Sequence, residues 1–101
     1  MDQNNFQEMQ LLEQNLHSLI LQKQSFEIEL AEVETSLKEL ENSGDEVFKI
    51  IGQLMLKTNK ERIKNEMTHK KDFLISNKEN LKKQEKILIN QLEKLKQENK
   101  K

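Results

Sequence analysis

The chain lacks cysteine, proline, tryptophan and tyrosine, and its 101 residues include only two glycines and four phenylalanines. Without cysteine there are no disulfides and no thiolate chemistry, which fits a reducing compartment. No apolar run approaches the roughly 20 residues that cross a bilayer. The first residues also lack the basic and apolar regions of a signal peptide. We therefore expect a soluble, cytoplasmic protein.

What the chain does contain is charge and leucine: 35% of its residues are charged and 34% are hydrophobic. Glu, Lys, Leu, Gln and Asn predominate with a helical repeat, which is typical of long helices and coiled coils. A chain of this length holds at most one domain, here residues 1–101. The composition predicts a thin core, so partner chains are needed to bury the apolar surface.

The first predicted helix spans residues 4–42 and carries a five-heptad repeat. Lys23 is the one charged residue of the seam, and it either sets the register or simply extends its ammonium group into solvent. Gly44 is predicted to close the helix in the left-handed conformation. The seam positions are Met9, Leu12, Leu16, Leu19, Lys23, Phe26, Leu30, Val33, Leu37 and Leu40.

The middle of the chain changes period and predicts a β-hairpin over residues 46–57. Two short apolar runs flank Gly52-Gln53, and a glycine that opens a two-residue loop indicates a type I′ or II′ turn. A lone hairpin is marginally stable in water, and this one is apolar on both faces. We therefore expect it to join a sheet built with other subunits, in preference to binding a ligand. The predicted assembly residues are Val47, Phe48, Ile50, Ile51, Gly52, Leu54, Met55 and Leu56.

The second predicted helix spans residues 59–98. Thr58 and Glu61 match the capping-box pattern at its start, with Asn59 as the alternative cap. Its seam is thinner than that of the first helix, because the positions that alternate with its leucines are mostly polar. The leucines that recur every seven residues are Leu74, Leu81, Leu88 and Leu95.

The two helices carry opposite charge. Residues 1–41 sum to −7 and residues 57–101 to +7. Opposite charges favour an antiparallel fold-back over parallel homodimers, and we expect Leu19 to lie near Leu81. The predicted fold class is mostly α: two long helices in an antiparallel coiled coil, joined by a short β-hairpin.

No residue pattern in the chain indicates an enzyme, a cofactor or a metal site. There is no glycine-rich phosphate loop and no nucleophile motif, and His17 and His69 are distant single residues that we expect to be solvated or to lie at an interface. A basic run in the second helix is better explained as the complement of the acidic first helix than as a nucleic-acid footprint, since no aromatics are interleaved with it. This run comprises Lys78, Lys82, Lys83 and Lys86.

The segment from Glu46 to Thr58 resembles the hairpin of β-class prefoldin subunits. Its Val, aromatic, Lys, two aliphatics, Gly, polar residue and aliphatic run follow that family's pattern. Gln22-Lys23-Gln24 and Lys83-Gln84-Glu85 also resemble family positions. The single hairpin indicates the β class, because α-class subunits have two. The archaeal type and a eukaryotic paralogue both remain open.

The resemblance implies an ATP-independent chaperone in which two α-class and four β-class subunits join through their hairpins into β-barrels. Six coiled coils then hold non-native client proteins at their tips and pass them to a chaperonin. Neither a membrane nor a nucleic acid is an expected partner.

An antiparallel fold-back places both chain ends at the tip, where we expect client contacts. Ordinary packing along the seam is the alternative role for the same residues. The main rival function is a scaffolding coiled coil without client binding, and a second is an adaptor that binds nucleic acid. The predicted client-binding residues are Phe6, Met9, Leu11, Leu12, Leu92 and Leu95.

Overall fold

The computed structural model describes residues 3–98, which form four elements in the order helix, strand, strand, helix. Helix α1 spans Gln3–Glu41 and helix α2 spans Lys60–Glu98. Between them, strands β1 (Glu46–Ile51) and β2 (Leu54–Asn59) form an antiparallel hairpin. The predicted fold class is confirmed, while the ends of the predicted domain lie outside the described residues. Neither helix combines the length and apolar character that a membrane crossing needs.

The chain divides into two compact units, and each contains a segment of both helices. Among the described residues, the terminal unit comprises residues 3–27 and 77–98, and the hairpin unit comprises Ile28–Ser76. In the terminal unit, ion pairs join Lys23 to Glu85 and Glu27 to Lys78. Residue numbers fall along α1 as they rise along α2, so the helices run antiparallel there.

The predicted heptad seam forms the helix–helix core. All ten seam positions of α1 are buried or half-buried. Leucines off the seam, such as Leu11 and Leu21, are exposed. A repeat of 3.5 residues keeps one stripe of a helix facing its partner, which explains why periodicity identified these positions. The most buried residues are Val33, Leu40, Leu74, Leu81 and Leu92.

Helix α1 ends differently from the prediction, because Gly44 does not adopt the left-handed conformation. The N–H groups of Asn42 and Ser43 donate to the carbonyls of Glu39 and Leu40, three residues back, at 3.2 and 3.1 Å. The Ser43 hydroxyl also donates to the Leu40 carbonyl at 2.7 Å. These bonds satisfy the last carbonyls of the helix without a left-handed glycine.

Gly52 forms the hairpin turn as predicted, and its backbone identifies the turn type. Ile51 pairs with Leu54, which leaves Gly52-Gln53 as a two-residue loop. Gly52 has a φ of 59°, whereas Gln53 is not in the positive-φ region. A type I′ turn needs positive φ at both loop residues, so the backbone matches type II′.

Strand β2 extends two residues beyond the predicted hairpin, and this changes the helix cap. Thr58 pairs with Val47 in the sheet, so it is not the cap of α2. Asn59, the predicted alternative, takes that role: the Arg62 N–H donates to Asn59 Oδ1 at 2.8 Å. The predicted capping box of Thr58 and Glu61 is therefore wrong. Strand pairing keeps Thr58 in β2, and the residue next to the start of α2 is Asn59.

Replacing Asn59 with alanine is expected to lower the free energy of unfolding by about 1 kcal/mol, the usual loss for an N-cap amide. Urea denaturation followed by circular dichroism measures this change. The control is Asn65→Ala, at an exposed position within α2, which improves helix propensity. Equal effects of the two variants would contradict the cap assignment.

Candidate functional site

The first face of the hairpin is exposed and largely apolar. Directly opposed residues of an antiparallel pair share one face, which places Phe48 opposite Lys57 and Ile50 opposite Met55. Phe48, Ile50 and Met55 are all exposed. Lys57 forms an ion pair with Glu46 at 2.6 Å near the base of the hairpin. The apolar part of this face thus lies toward the turn.

The second face is half-buried at its base and exposed toward the turn. Val47, Lys49 and Thr58 are half-buried, whereas Ile51, Leu54 and Leu56 are exposed. Six of the seven apolar side chains predicted for assembly are therefore exposed on one face or the other, and Val47 is the exception. Grouped exposed apolar side chains are characteristic of surfaces that contact another molecule.

An ion pair between Lys49 and Glu66 links the second face of the hairpin to α2. Lys49 Nζ lies 2.8 Å from Glu66 Oε2. The hydrogen bond from Lys49 lowers the pKa of Glu66 below its usual 4.5. Because the folded-state pKa lies below the unfolded one, the pair stabilises the folded chain above pH 4.5, and this contribution is lost as the pH falls through the lower value.

Lys60, the first residue of α2, holds the base of the hairpin against the end of α1. Its Nζ donates to the carbonyls of Glu41 and Ser43 at 3.0 and 3.2 Å. Its backbone N–H donates to the carbonyl of Asp45 at 3.0 Å. A cation at a helix C-terminus also interacts favourably with the helix dipole. The orientation of the hairpin therefore depends on backbone as well as side-chain bonds.

The polar seam positions of α2 are explained by ion pairs with α1. In the hairpin unit, Lys71 lies 3.9 Å from Glu34. In the terminal unit, Lys78 lies 3.5 Å from Glu27. The predicted role of the basic run as the complement of α1 is thus confirmed for Lys78. The other three lysines of that run are exposed and form no ion pair within residues 3–98.

Lys23 lies across the seam from Glu85 in the terminal unit. Lys23 Nζ donates to Glu85 Oε2 at 2.8 Å, and both side chains are half-buried. The hydrogen bond to Glu85 raises the pKa of Lys23 above its usual 10.5. The solvent-directed conformation considered for Lys23 is wrong, because an oppositely charged seam residue faces it. In some coiled coils a polar residue at a seam position selects the register and orientation of the helices.

Reversing one charge of this pair is expected to destabilise the helix pairing, and reversing both to restore it. Lys23→Glu places two carboxylates together and lowers the melting temperature, and Glu85→Lys lowers it by placing two ammonium groups together. The double variant regains most of the loss because attraction is re-established. Thermal denaturation followed by circular dichroism measures the melting temperatures, and the double-mutant cycle gives the coupling between the two sites. Additive losses in the double variant would contradict a direct pair.

The predicted client-binding residues all lie in the terminal unit, with different degrees of burial. Phe6 and Leu11 are exposed, and Met9, Leu12 and Leu95 are half-buried. Leu92 is only 6% exposed, so its side chain belongs to the helix–helix core. Leu95 borders a shallow surface depression together with Asn5 and Glu8.

Leu19 lies beside Leu88 rather than Leu81, so its predicted neighbour is wrong. Both line a groove of about 560 Å³ in the terminal unit. The ion pair of Lys23 with Glu85 explains the difference. Leu19 lies one turn before Lys23 on α1. Because the helices are antiparallel there, the residue opposite it lies about one turn after Glu85 on α2, which is the position of Leu88.

The two histidines lie on the surface of the helices. His17 and His69 are both exposed, and within residues 3–98 no three His, Asp or Glu side chains form a group that fits a metal ion.

Comparison with known proteins gives a consistent result. The model of the family described as prefoldin subunit matches residues 3–101. The prefoldin β subunit of Sulfurisphaera tokodaii is 37% identical over 89 residues, which cover 86% of this chain and 71% of that protein. That of Pyrobaculum calidifontis is 35% identical over 85 residues, covering 82% and 68%.

A solved structure resembles the fold just described. It is the crystal structure of the prefoldin β subunit from Thermococcus strain KS-1, at 31% sequence identity and a TM-score of 0.88. The match covers 95% of this chain and 86% of that one.

Proposed function

This chain belongs to the prefoldin subunit family, in its β class, and we propose that it holds non-native polypeptides in an ATP-independent chaperone complex and passes them to a chaperonin. Prefoldin subunits are chaperone components that assemble with one another, and they are not enzymes. The client binding and the transfer to a chaperonin are the parts proposed here.

The exposed hairpin is the observation that supports the proposal. Apolar side chains lie exposed on both of its faces, and two strands alone bury too little surface to be stable. Strands from other subunits would cover these faces and pair with the free strand edges. We propose that the hairpins of two α-class and four β-class chains combine in this way into β-barrels.

Measuring mass in solution tests the assembly. Light scattering after gel filtration would be carried out on this chain alone and mixed with an α-class subunit. We expect a hexamer of two α-class and four β-class chains in the mixture. A dimer unaffected by the partner would support the rival function, a scaffolding coiled coil, and would exclude the chaperone complex.

For client capture we propose the end of the terminal unit. The six predicted residues are apolar and lie near the ends of both helices, and flexible apolar side chains suit contact with many sequences. Phe6 and Leu11 offer the most exposed surface. Six such ends in one complex would add avidity to individually weak contacts.

Replacing Phe6 and Leu11 together with serine is expected to reduce client capture several-fold. The assembled complex would need several times more protein to suppress aggregation of an unfolded client, because two exposed apolar side chains are lost. Light scattering of the aggregating client measures this effect. The matched control is Leu21→Ser, an exposed leucine further along α1. Unchanged suppression, with the complex intact, would contradict the assignment of these residues.

We propose that the complex acts in the cytoplasm, which cell fractionation would test. Binding to nucleic acid is not part of it, and strongly salt-dependent binding to DNA or RNA would count against this choice.

A further inference from the structure

The hairpin and helix α2 meet at a direct junction, because no linker separates them. Strand β2 ends at Asn59 and α2 begins at Lys60, whereas residues 42–45 separate α1 from β1. Lys60 holds the junction itself through its hydrogen bonds to the carbonyl of Asp45 and to the end of α1. A change in the angle between the hairpin and α2 therefore pivots at this junction.

The ion pair of Lys49 with Glu66 connects the two elements at a distance from the junction. Lys49 is three residues from the start of β1, which is about 10 Å at 3.3 Å per residue. Glu66 is six residues from the start of α2, which is about 9 Å at 1.5 Å per residue. The 2.8 Å contact thus spans the corner that the hairpin and α2 form. Because it acts far from the pivot, it opposes a tilt of the hairpin more effectively than a contact at the junction does.

Little else limits a tilt of the hairpin. Val47, Lys49 and Thr58 are half-buried, and all other residues of the two strands are exposed. A depression of about 390 Å³ lies between Lys49 and the two helices. Of the ion pairs formed within residues 3–98, only that of Lys49 with Glu66 joins the hairpin to a helix. This pair is therefore the main restraint on the tilt away from the junction.

The pair affects orientation more than stability. Its two side chains are 42% and 44% exposed, and ion pairs with this exposure change folding stability little. The hairpin is about 20 Å long, since each strand has six residues at 3.3 Å per residue. A tilt of roughly 10° then moves its turn by about 3 Å. Even a weak restraint therefore changes the direction in which the apolar faces of the hairpin point.

We propose that Lys49 and Glu66 are positioning residues. They fix the tilt of the hairpin, and thereby the angle at which the helices of the hairpin unit leave the sheet formed with other subunits. The effect on the angle rests on the proposed function, because it requires assembly through the hairpin. The effect on the tilt concerns the single chain and does not depend on assembly.

Spin labels on the two sides of the corner test the proposal. The chain contains no cysteine, so Gln53→Cys at the turn and Ser76→Cys on α2 provide the two attachment points. Both positions are exposed and lie in the hairpin unit. Double electron–electron resonance on the full chain gives the distribution of distances between the labels. Dilution with unlabelled chain keeps the measured pairs within one molecule, and circular dichroism verifies the fold.

The variant is Lys49→Met, which keeps a long unbranched side chain and removes its charge. The matched control is Lys57→Met, because it removes the ion pair with Glu46 that lies wholly within the hairpin. Lys49→Arg is the rescue variant, since it retains a cation that can bond to Glu66. We expect Lys49→Met to shift or widen the distance distribution by about 3 Å, the displacement of a roughly 10° tilt. The control and the rescue variant should match the unsubstituted chain.

An unchanged distribution for Lys49→Met would overturn the proposal, as would an equal change in Lys57→Met or a failure of Lys49→Arg to match the unsubstituted chain. In the complex with α-class subunits, chains labelled only at Ser76→Cys give distances between subunits. We expect Lys49→Met to widen these distances as well, and equal widths would rule out the effect on the helix angle. Failure of the unsubstituted chain to enter the complex would instead reject the proposed function, and the single-chain measurement would still decide the role of the pair.

Discussion

Replacing Ile50 with lysine is expected to abolish assembly of this chain with other prefoldin subunits while its helices stay folded. Ile50 is 69% exposed, opposite Met55 on the apolar face of the hairpin. In the single chain the change therefore removes little packing. In a complex it removes a buried side chain worth about 1.5–3 kcal/mol and adds a charge that has to be desolvated. Together these weaken each contact by roughly 100-fold or more.

Gel filtration with light scattering measures this loss, and circular dichroism confirms that the helices remain. Ile28→Lys is a matched control, because Ile28 is 63% exposed but lies on α1 outside the hairpin. We expect the control to assemble normally. A full-sized complex of the Ile50→Lys chain would show that the hairpin is not the assembly surface.

Replacing Leu74 with alanine is expected to cause the largest loss of stability of any single truncation in the chain. Leu74 is 2% exposed and is the most completely buried side chain in the described residues. It lies one turn from Lys71, whose ion pair with Glu34 holds α1 opposite this part of α2. Removing a fully buried leucine costs about 2–5 kcal/mol, from lost burial and from the cavity that remains.

Urea denaturation of the single chain measures this change. The control is Leu21→Ala, because Leu21 is 52% exposed and substitutions at such positions usually change stability by less than about 0.5 kcal/mol. Similar effects of the two substitutions would mean that the seam does not form the core in solution.

The hydrophobic repeat was enough to predict the helices and their buried stripe. Every seam position predicted for α1 is buried or half-buried, since a period of 3.5 residues determines which side of a helix faces a partner. Gly52 likewise predicted the turn, because a two-residue hairpin loop needs a residue that tolerates positive φ. These features depend on neighbours in sequence, and a single chain contains all the information they require.

Features that depend on distant residues were predicted less well. Sequence left Thr58 and Asn59 as alternative caps, and strand pairing with Val47 excluded Thr58. Gly44 was expected to close α1, but Ser43 and the Lys60 side chain satisfy the last carbonyls instead. Val47 of β1 and Lys60 of α2 come from other elements, and local propensity includes neither of these partners.

The groove that Leu19 and Leu88 line was missed for a related reason. Asn15 and Gln22 are seven residues apart on α1, and Gln84 and Gln91 are seven apart on α2, so each pair was visible as a neutral stripe. That the two stripes border one groove depends on the helix register, which the Lys23–Glu85 pair reveals. Periodicity specifies which side of each helix faces its partner, whereas contacts between the helices determine which residues meet.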